Sequence, residues 1–304
     1  MRQLQLIRLY FYVCKVYEKR LKFCTQRFSN NQREPQFTDC ELLTTWIFGI
    51  GYEKCRTDKQ VYEHIANYWI EWFPDLPSYQ AYNRRLNDVC SLYPVLVEEL
   101  VRLQTALLSH APQACFVVSD SMPVITCSAK RKAKVARHLC DKGYNATKSM
   151  YYYGVKLHAL SWYEKGSLPI VGQLLMGAAS EHDLEAQRYD LEQLKEQVVF
   201  VDKAFKDRDL EKLYEDNGGA LMVPMKYHRG HDQQHRQRHK AADELMGRCF
   251  STIRQPIESF FAWINERTGV QLASKVRSFK GLLKHVFGRI AAAFAVMAIE
   301  VDLI

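Results

Sequence analysis

The sequence predicts an α/β protein: a mixed five-stranded sheet flanked by helices, preceded by an all-helical segment. Three observations carry this. Residues 1 to about 110 repeat apolar side chains at three- and four-residue spacings, the period of an amphipathic helix. After Pro112 the pattern becomes continuous or alternating, as in strands. Strand-like and helix-like runs then follow one another, and the chain reads helical again from about residue 232. The break near residues 109–112 is the expected boundary between a helical domain, 1–110, and a second domain, 111–304.

Composition sets the class. The chain has 304 residues, 47% hydrophobic and 25% charged, ordinary values for a globular protein with a sizeable core. Net charge is +8, which favours a polyanionic partner, nucleic acid first and an anionic membrane surface second. The excess is local. Between Val124 and Leu160 stand eight Lys or Arg and one acid, Asp141. Nine cysteines are scattered, with no C-x-x-C pair, so neither a disulfide framework nor a zinc ribbon is expected and reduced thiols in a cytosol fit best. The N-terminus lacks the pattern of a signal peptide, and the apolar run 290–299 is too short to span a bilayer, so no membrane partner is expected.

The elements follow in order. Leu4, Leu6, Ile7, Tyr10, Phe11 and Cys14 mark a first helix, and residues 30–36 a loop. Thr38 and Glu41 form a capping-box pattern that opens the next helix, with Leu42, Leu43, Trp46, Ile47 and Ile50 inward and Gly51 as its stop. Another helix is expected over 59–72. A turn follows over 73–77, and Ser78 caps a third helix carrying Tyr82, Arg84 and Arg85. Short helices with tight turns and a basic last helix suggest a helix-turn-helix reader of DNA; any small helical bundle has the same pattern. Strands are expected over 114–119, 151–160, 168–176, 198–201 and 220–225, and helices over 181–197 and 207–217. The basic segment 124–148 lacks an apolar period and reads as a loop or short helix against DNA backbone.

Two of those strands end in aspartate, Asp120 and Asp202, and a later helical segment carries Glu258. Were the strands neighbours, the carboxylates would stand side by side and repel unless a cation compensated. Hard divalent cations take oxygen ligands, so Mg²⁺ suits the trio, with Mn²⁺ an alternative. Two such ions can activate an attacking oxygen and stabilise a leaving one in phosphodiester chemistry. The plainer reading makes each Asp a turn former and Glu258 a surface partner of Arg254, four residues before it.

The chain resembles the DDE transposases of bacterial insertion sequences, most of all the IS982 family. The matching residues are Asp120-Ser121-Met122-Pro123, Lys142-Gly143-Tyr144, Tyr153-Gly154-Val155-Lys156-Leu157-His158, Glu181-His182-Asp183, Val201-Asp202-Lys203 and Arg254 with Glu258 and Phe261. They cover roughly residues 112 to 290 in the family's order, and the stretch 73–79 also resembles its helical region. The resemblance implies an RNase H-like fold, with Asp120, Asp202 and Glu258 both catalytic and metal-binding. It implies two Mg²⁺ ions, cleavage of element ends by water, and strand transfer by the freed 3′-hydroxyl without a covalent enzyme intermediate. The implied partner is double-stranded DNA, as terminal inverted repeats and as target, held by a homodimer in the bacterial cytoplasm at the nucleoid. The expected DNA contacts are Arg254, Lys203, Lys130, Arg131, Lys132 and Lys156. The chain departs from the family signature at Ser251 and Asn265, where Tyr and Lys are usual, and at Ala204-Phe205. Ser121 and Pro123 are assigned to the turn out of the strand.

Three further groups stand out. His228, His231, His235 and His239 could bind zinc at four-residue spacing, but no Cys or acid completes a site, and a basic segment near DNA phosphates fits better. His158 is a polar neighbour of Asp120. Tyr151, Tyr152 and Tyr153 could stack on unpaired bases, with at least one turned into the core. A DNA-binding regulator without catalysis, or a metal-dependent nuclease without strand transfer, would share these features.

Overall fold

A six-stranded mixed sheet forms the centre of the second half of the chain, and helices from both ends of the chain pack on it and on each other. The structure is a computed structural model that describes residues 2–25, 35–106, 108, 116–128, 138–145, 148–224 and 232–304, apart from the side chains of residues 239 and 243. The expected loop at 30–36 falls largely outside the described residues, and the expected boundary at 109–112 wholly so.

The helical part is close to expectation. α1 (Arg2–Val16) continues through a π turn (Tyr17–Leu21) into α2 (Lys22–Cys24). α3 (Asp39–Gly51) begins at the Thr38 capping box: Glu41 N–H donates to Thr38 Oγ1 at 3.2 Å, and Thr38 N–H to Glu41 Oε2 at 2.6 Å. α4 (Asp58–Tyr68) has a second box, Thr57 with Gln60, and ends short of the expected Trp72. α5 (Tyr79–Asp88) starts at Ser78, as expected, and α6 (Leu92–Thr105) follows. Gly51 serves a different purpose from a left-handed stop. A Cβ there would lie 2.8 Å from Val296 and 2.9 Å from the Ala292 carbonyl, so its small size permits close approach of the last helix.

The strands are β1 (Phe116–Ser128), β2 (Asp141–Asn145), β3 (Met150–Trp162), β4 (Ile170–Ala178), β5 (Val198–Phe200) and β6 (Ala220–Met222). Their order is β2-β3-β1-β5-β6, with β4 also on β3. β2 and β4 share one edge of β3: β2 pairs along its first half and β4 along its second. β1–β3 is antiparallel, while β1–β5 and β5–β6 are parallel. The sixth strand is β2, inside the basic segment expected as loop or helix; residues 129–137 of that segment lie outside the described residues. At Gly154 a Cβ would meet the Val124 carbonyl at 2.0 Å, so the β1–β3 ladder requires glycine there.

α7 (Asp183–Glu192) and α8 (Arg208–Asp216) cover one face of the sheet, with Leu184, Leu191, Leu210 and Tyr214 buried in a cluster with Val117, Leu160 and Val199. The other face receives α9 (Gln233–Thr268), a 36-residue helix whose Ile253, Ile257, Phe260 and Ile264 are buried with Val118, Met122 and Val124. α10 (Phe279–Leu283), a π turn and α11 (Arg289–Glu300) then run as one helix. Those 22 residues are long and apolar enough to cross a membrane, but 83% of the apolar window is buried in the protein. α11 packs on α1, α3, α6 and α9, so the N-terminal helices and the end of the chain share one core.

Candidate active site

Asp120 lies in the middle of β1, not at its end. The chain does not turn at Ser121–Pro123: the β1–β3 ladder continues from Val117↔Trp162 to Ser128↔Tyr152. The strand that stops is β5. It pairs with β1 only from Phe116↔Val198 to Val118↔Phe200. Asp120 and Asp202 each stand two residues past that last pair, so parallel register brings both acids to the same level, and Pro123 lies where no β5 donor is required. Farther along, Ile125 N–H donates to the Gln271 carbonyl, and Ala273 N–H to the Ile125 carbonyl, both at 2.8 Å. Between these two pairings the outer edge of β1 is open.

Strand alternation puts Asp120 on the side of Val118, Met122 and Val124, the side covered by α9. α9 supplies Arg254 and Glu258, one turn apart. Arg254 Nη2 lies 3.4 Å from Asp120 Oδ2 and Nη1 lies 3.8 Å from Asp202 Oδ1. Arg254 therefore bridges the two aspartates. Its Nε is buried without a hydrogen-bond partner, which leaves a donor for a further acceptor. Glu258 and Asp202 are exposed, and a cavity at Glu258 is lined by Phe250, Ser251, Arg254, Gln255 and Glu258.

Asp120 is the perturbed acid. Burial pushes its carboxyl up from 3.8 to about 6, and Glu258 and Asp202 push in the same direction; Arg254 and the Ser121 N–H, which donates to Oδ1 at 2.8 Å, pull it down. Both other acids thus act electrostatically on Asp120. Among the described residues no three His, Cys, Asp or Glu are gathered closely enough to hold an ion. The donor set still suits a hard divalent cation: all three groups are carboxylates, and a cation would relieve the charge that burial penalises in Asp120. The guanidinium of Arg254 is the cation now between two of them.

The other expected contacts are dispersed. Lys203 is exposed next to Asp202 in a short 3₁₀ turn (Lys203–Phe205). Lys156 is on the opposite face of the sheet, its ammonium 2.9 Å from Asp183 Oδ1 and 2.8 Å from the Glu181 carbonyl. Lys130, Arg131 and Lys132 lie outside the described residues, as do His228 and His231. His235 is exposed and sits 2.9 Å from Asp232. Asn265, at the family's usual Lys position, accepts the Gln271 N–H at 3.1 Å. Of the three tyrosines, Tyr152 is buried, while Tyr151 is exposed and packs on Tyr144 at 5.0 Å between ring centroids.

A polar network lies on the sheet face opposite Asp120. Ser121 Oγ donates to Asp183 Oδ1 at 3.2 Å, the same oxygen that Lys156 holds. His158, buried opposite Ser121, lies 3.7 Å from it, and burial lowers the imidazole to about 4, so it is neutral there. Gln187 accepts from Ser119 at 2.6 Å. The signal was present as Ser121, Lys156-x-His158 and Asp183, but the β1–β3 register is needed to join them.

A family model described as the transposase DDE domain matches residues 111–295, more than half of the chain. No curated protein and no solved structure shows a significant match.

Proposed function

The chain belongs to the transposase DDE-domain family, and from that premise we propose that it cuts the ends of an insertion sequence of the IS982 type and joins the freed 3′-hydroxyls to target DNA. Its mixed sheet flanked by helices is the RNase H-like fold of such enzymes. The observation that carries the reading is the convergence of Asp120 and Asp202 on Arg254, with Glu258 one turn along the same helix.

Asp120, Asp202 and Glu258 would hold the divalent ions, Mg²⁺ or Mn²⁺. When bound, such ions activate the attacking oxygen and stabilise the leaving one. The chain's own residues do the rest. Arg254, whose guanidinium stands between the two aspartates, holds a phosphate oxygen next to the scissile bond. Lys203 adds positive charge beside Asp202. β1 and the network beneath it keep Asp120 aimed at the α9 side: the Ser121 N–H orients Oδ1, and Asp183 anchors the Ser121 hydroxyl. The helical region 1–110 is the proposed reader of the element ends, and two ends call for a homodimer on DNA.

The test is cleavage of labelled element ends with Mg²⁺. Asp120→Ala, Asp202→Ala and Glu258→Ala are each expected to abolish cutting and to retain binding. Undiminished cutting in any one of them removes that acid from the mechanism. Wild-type protein that binds ends but never cuts them is a regulator.

A further inference from the structure

A second basic site lies at the other end of α9. A cavity of about 520 Å³ is enclosed by the start of α4, one side of α5, the 275–278 loop and the last helix. Six cationic side chains line it: Arg56, Lys59, Lys275, Arg277, Lys284 and Arg289. The one carboxylate in the lining, Asp58, is already occupied. Lys284 Nζ is 2.5 Å from its Oδ2, and Trp46 Nε1 donates to its Oδ1 at 2.9 Å. Lys59 pairs with Glu63 at 3.4 Å, on the exposed side of α4.

The three arginines are held by carbonyls, not by acids. Arg56 donates to the Glu266 carbonyl at 2.7 Å, and Arg289, 6% exposed, donates to the Arg56 and Thr268 carbonyls. Arg277 donates to the Ser274 and Val276 carbonyls, both at 2.7 Å. Among the described residues, no carboxylate lies within ion-pair distance of Arg56, Lys275, Arg277 or Arg289. A concave wall with this much uncompensated positive charge focuses the field on an anion. Carbonyl bonds also fix the orientation of Arg56 and Arg289, so little side-chain freedom is left to lose on binding.

We infer that this cavity binds a backbone phosphate of duplex DNA. Position favours that anion over a free one. Arg56 and Arg289 grip Glu266 and Thr268, eight to ten residues past Glu258 on α9. At 1.5 Å per residue that is ~12–15 Å. A duplex rises 3.4 Å per base pair, so one lying along α9 would have phosphates at both places, roughly four base pairs apart. The spacing rests on the proposed cleavage site; the charge of the cavity does not.

The test is binding of a fluorescent 30-base-pair duplex of arbitrary sequence, in EDTA, over a range of KCl concentrations. Lys275→Glu with Arg277→Glu is compared with a control of equal charge, Lys195→Glu with Lys212→Glu, all four being exposed positions. Each lost phosphate contact lowers the slope of log affinity against log salt by about 0.9, so a fall of ~1–2 is expected in the cavity variant alone. Its affinity should fall at least tenfold below the control's. Equal slopes and affinities in the two variants overturn the inference. The neutral pair Lys275→Gln with Arg277→Gln, checked by thermal melting, separates lost contact from repulsion or misfolding: a slope restored to wild type in it also counts against the site. Because no divalent ion is present, failure of cleavage in the carboxylate assay would leave this result standing.

Discussion

Replacing Asp120 by Asn is expected to stabilise the metal-free protein at neutral and alkaline pH, although it removes a partner of Arg254. The folded-state carboxyl is raised, chiefly by burial, from 3.8 to about 6. A raised carboxyl binds its proton more tightly in the folded protein than in the unfolded one. Its contribution to stability is therefore whole below pH ~4 and is lost as the pH rises through about 6. At ~1.4 kcal/mol per pKa unit the full loss is ~3 kcal/mol. The side chain is 22% exposed, and solvent moderates this to about 2 kcal/mol. For a chain of 304 residues, at ~2.1 cal/mol/K of unfolding entropy per residue, ~1 kcal/mol moves the melting temperature by ~1.5 °C. Thermal melts in EDTA should show Asp120→Asn and wild type differing least near pH 4.5, with the variant gaining ~3 °C on wild type by pH 7.5. Millimolar Mg²⁺ should narrow that gap by stabilising the wild type. A difference constant from pH 4.5 to 8, or one that moves against the variant as pH rises, would refute the argument from a buried, cation-starved acid.

Other side chains give sharper structural tests. Asp58→Ala leaves the Lys284 ammonium, 9% exposed, without its carboxylate; the urea midpoint should report a loss of ~3–5 kcal/mol. Thr38→Ala removes the acceptor of the Glu41 N–H and should cost ~1 kcal/mol in the same titration, with no effect on DNA affinity. Lys156→Met breaks the contact with Asp183 beneath Asp120 and should cost ~2–3 kcal/mol in stability while the salt slope of duplex binding stays unchanged. A reduced slope with unchanged stability would instead put Lys156 on the DNA.

Legibility in the sequence followed the range of the interactions. Caps are local, so the Thr38 box and the Ser78 cap could be read directly from residue types three positions apart. Asp202 and Glu258 were legible because each stands next to a short apolar pattern of clear type. The length of β1 was not. Ser121 and Pro123 have turn chemistry, and what keeps them extended is a ladder to residues more than thirty positions away. β2 was hidden for a related reason: Asp141-Lys142-Gly143-Tyr144-Asn145 has little strand propensity, and its pairing with Tyr151–Gly154 determines its conformation. The charge of Lys156 points to DNA but says nothing about which side of a sheet the residue occupies. The register puts it with Ser121 and His158 under α7.

The position of the acids follows from where the sheet leaves β1 incomplete. On one edge β3 pairs with it almost throughout. On the other, β5 stops at Phe200, and the 271–273 segment resumes pairing only at Ile125. A gap in a ladder exposes backbone polar groups, and an antiparallel partner there would have closed it. Instead α9 crosses over the gap, burying Ile253, Ile257 and Phe260 on the sheet. The same burial sets the phase of the helix, so Arg254 and Glu258 flank Ile257 on the side nearest the open edge. An acid at position 120 faces that gap from β1, and Asp202 enters it because β5 is too short to continue. Deleting one residue between Phe200 and Asp202 would take Asp202 out of level with Asp120, and continuing the pairing by two residues would place the β5 backbone across the opening. The three-residue length of β5 is thus the feature that leaves the space in which two aspartates and one arginine meet.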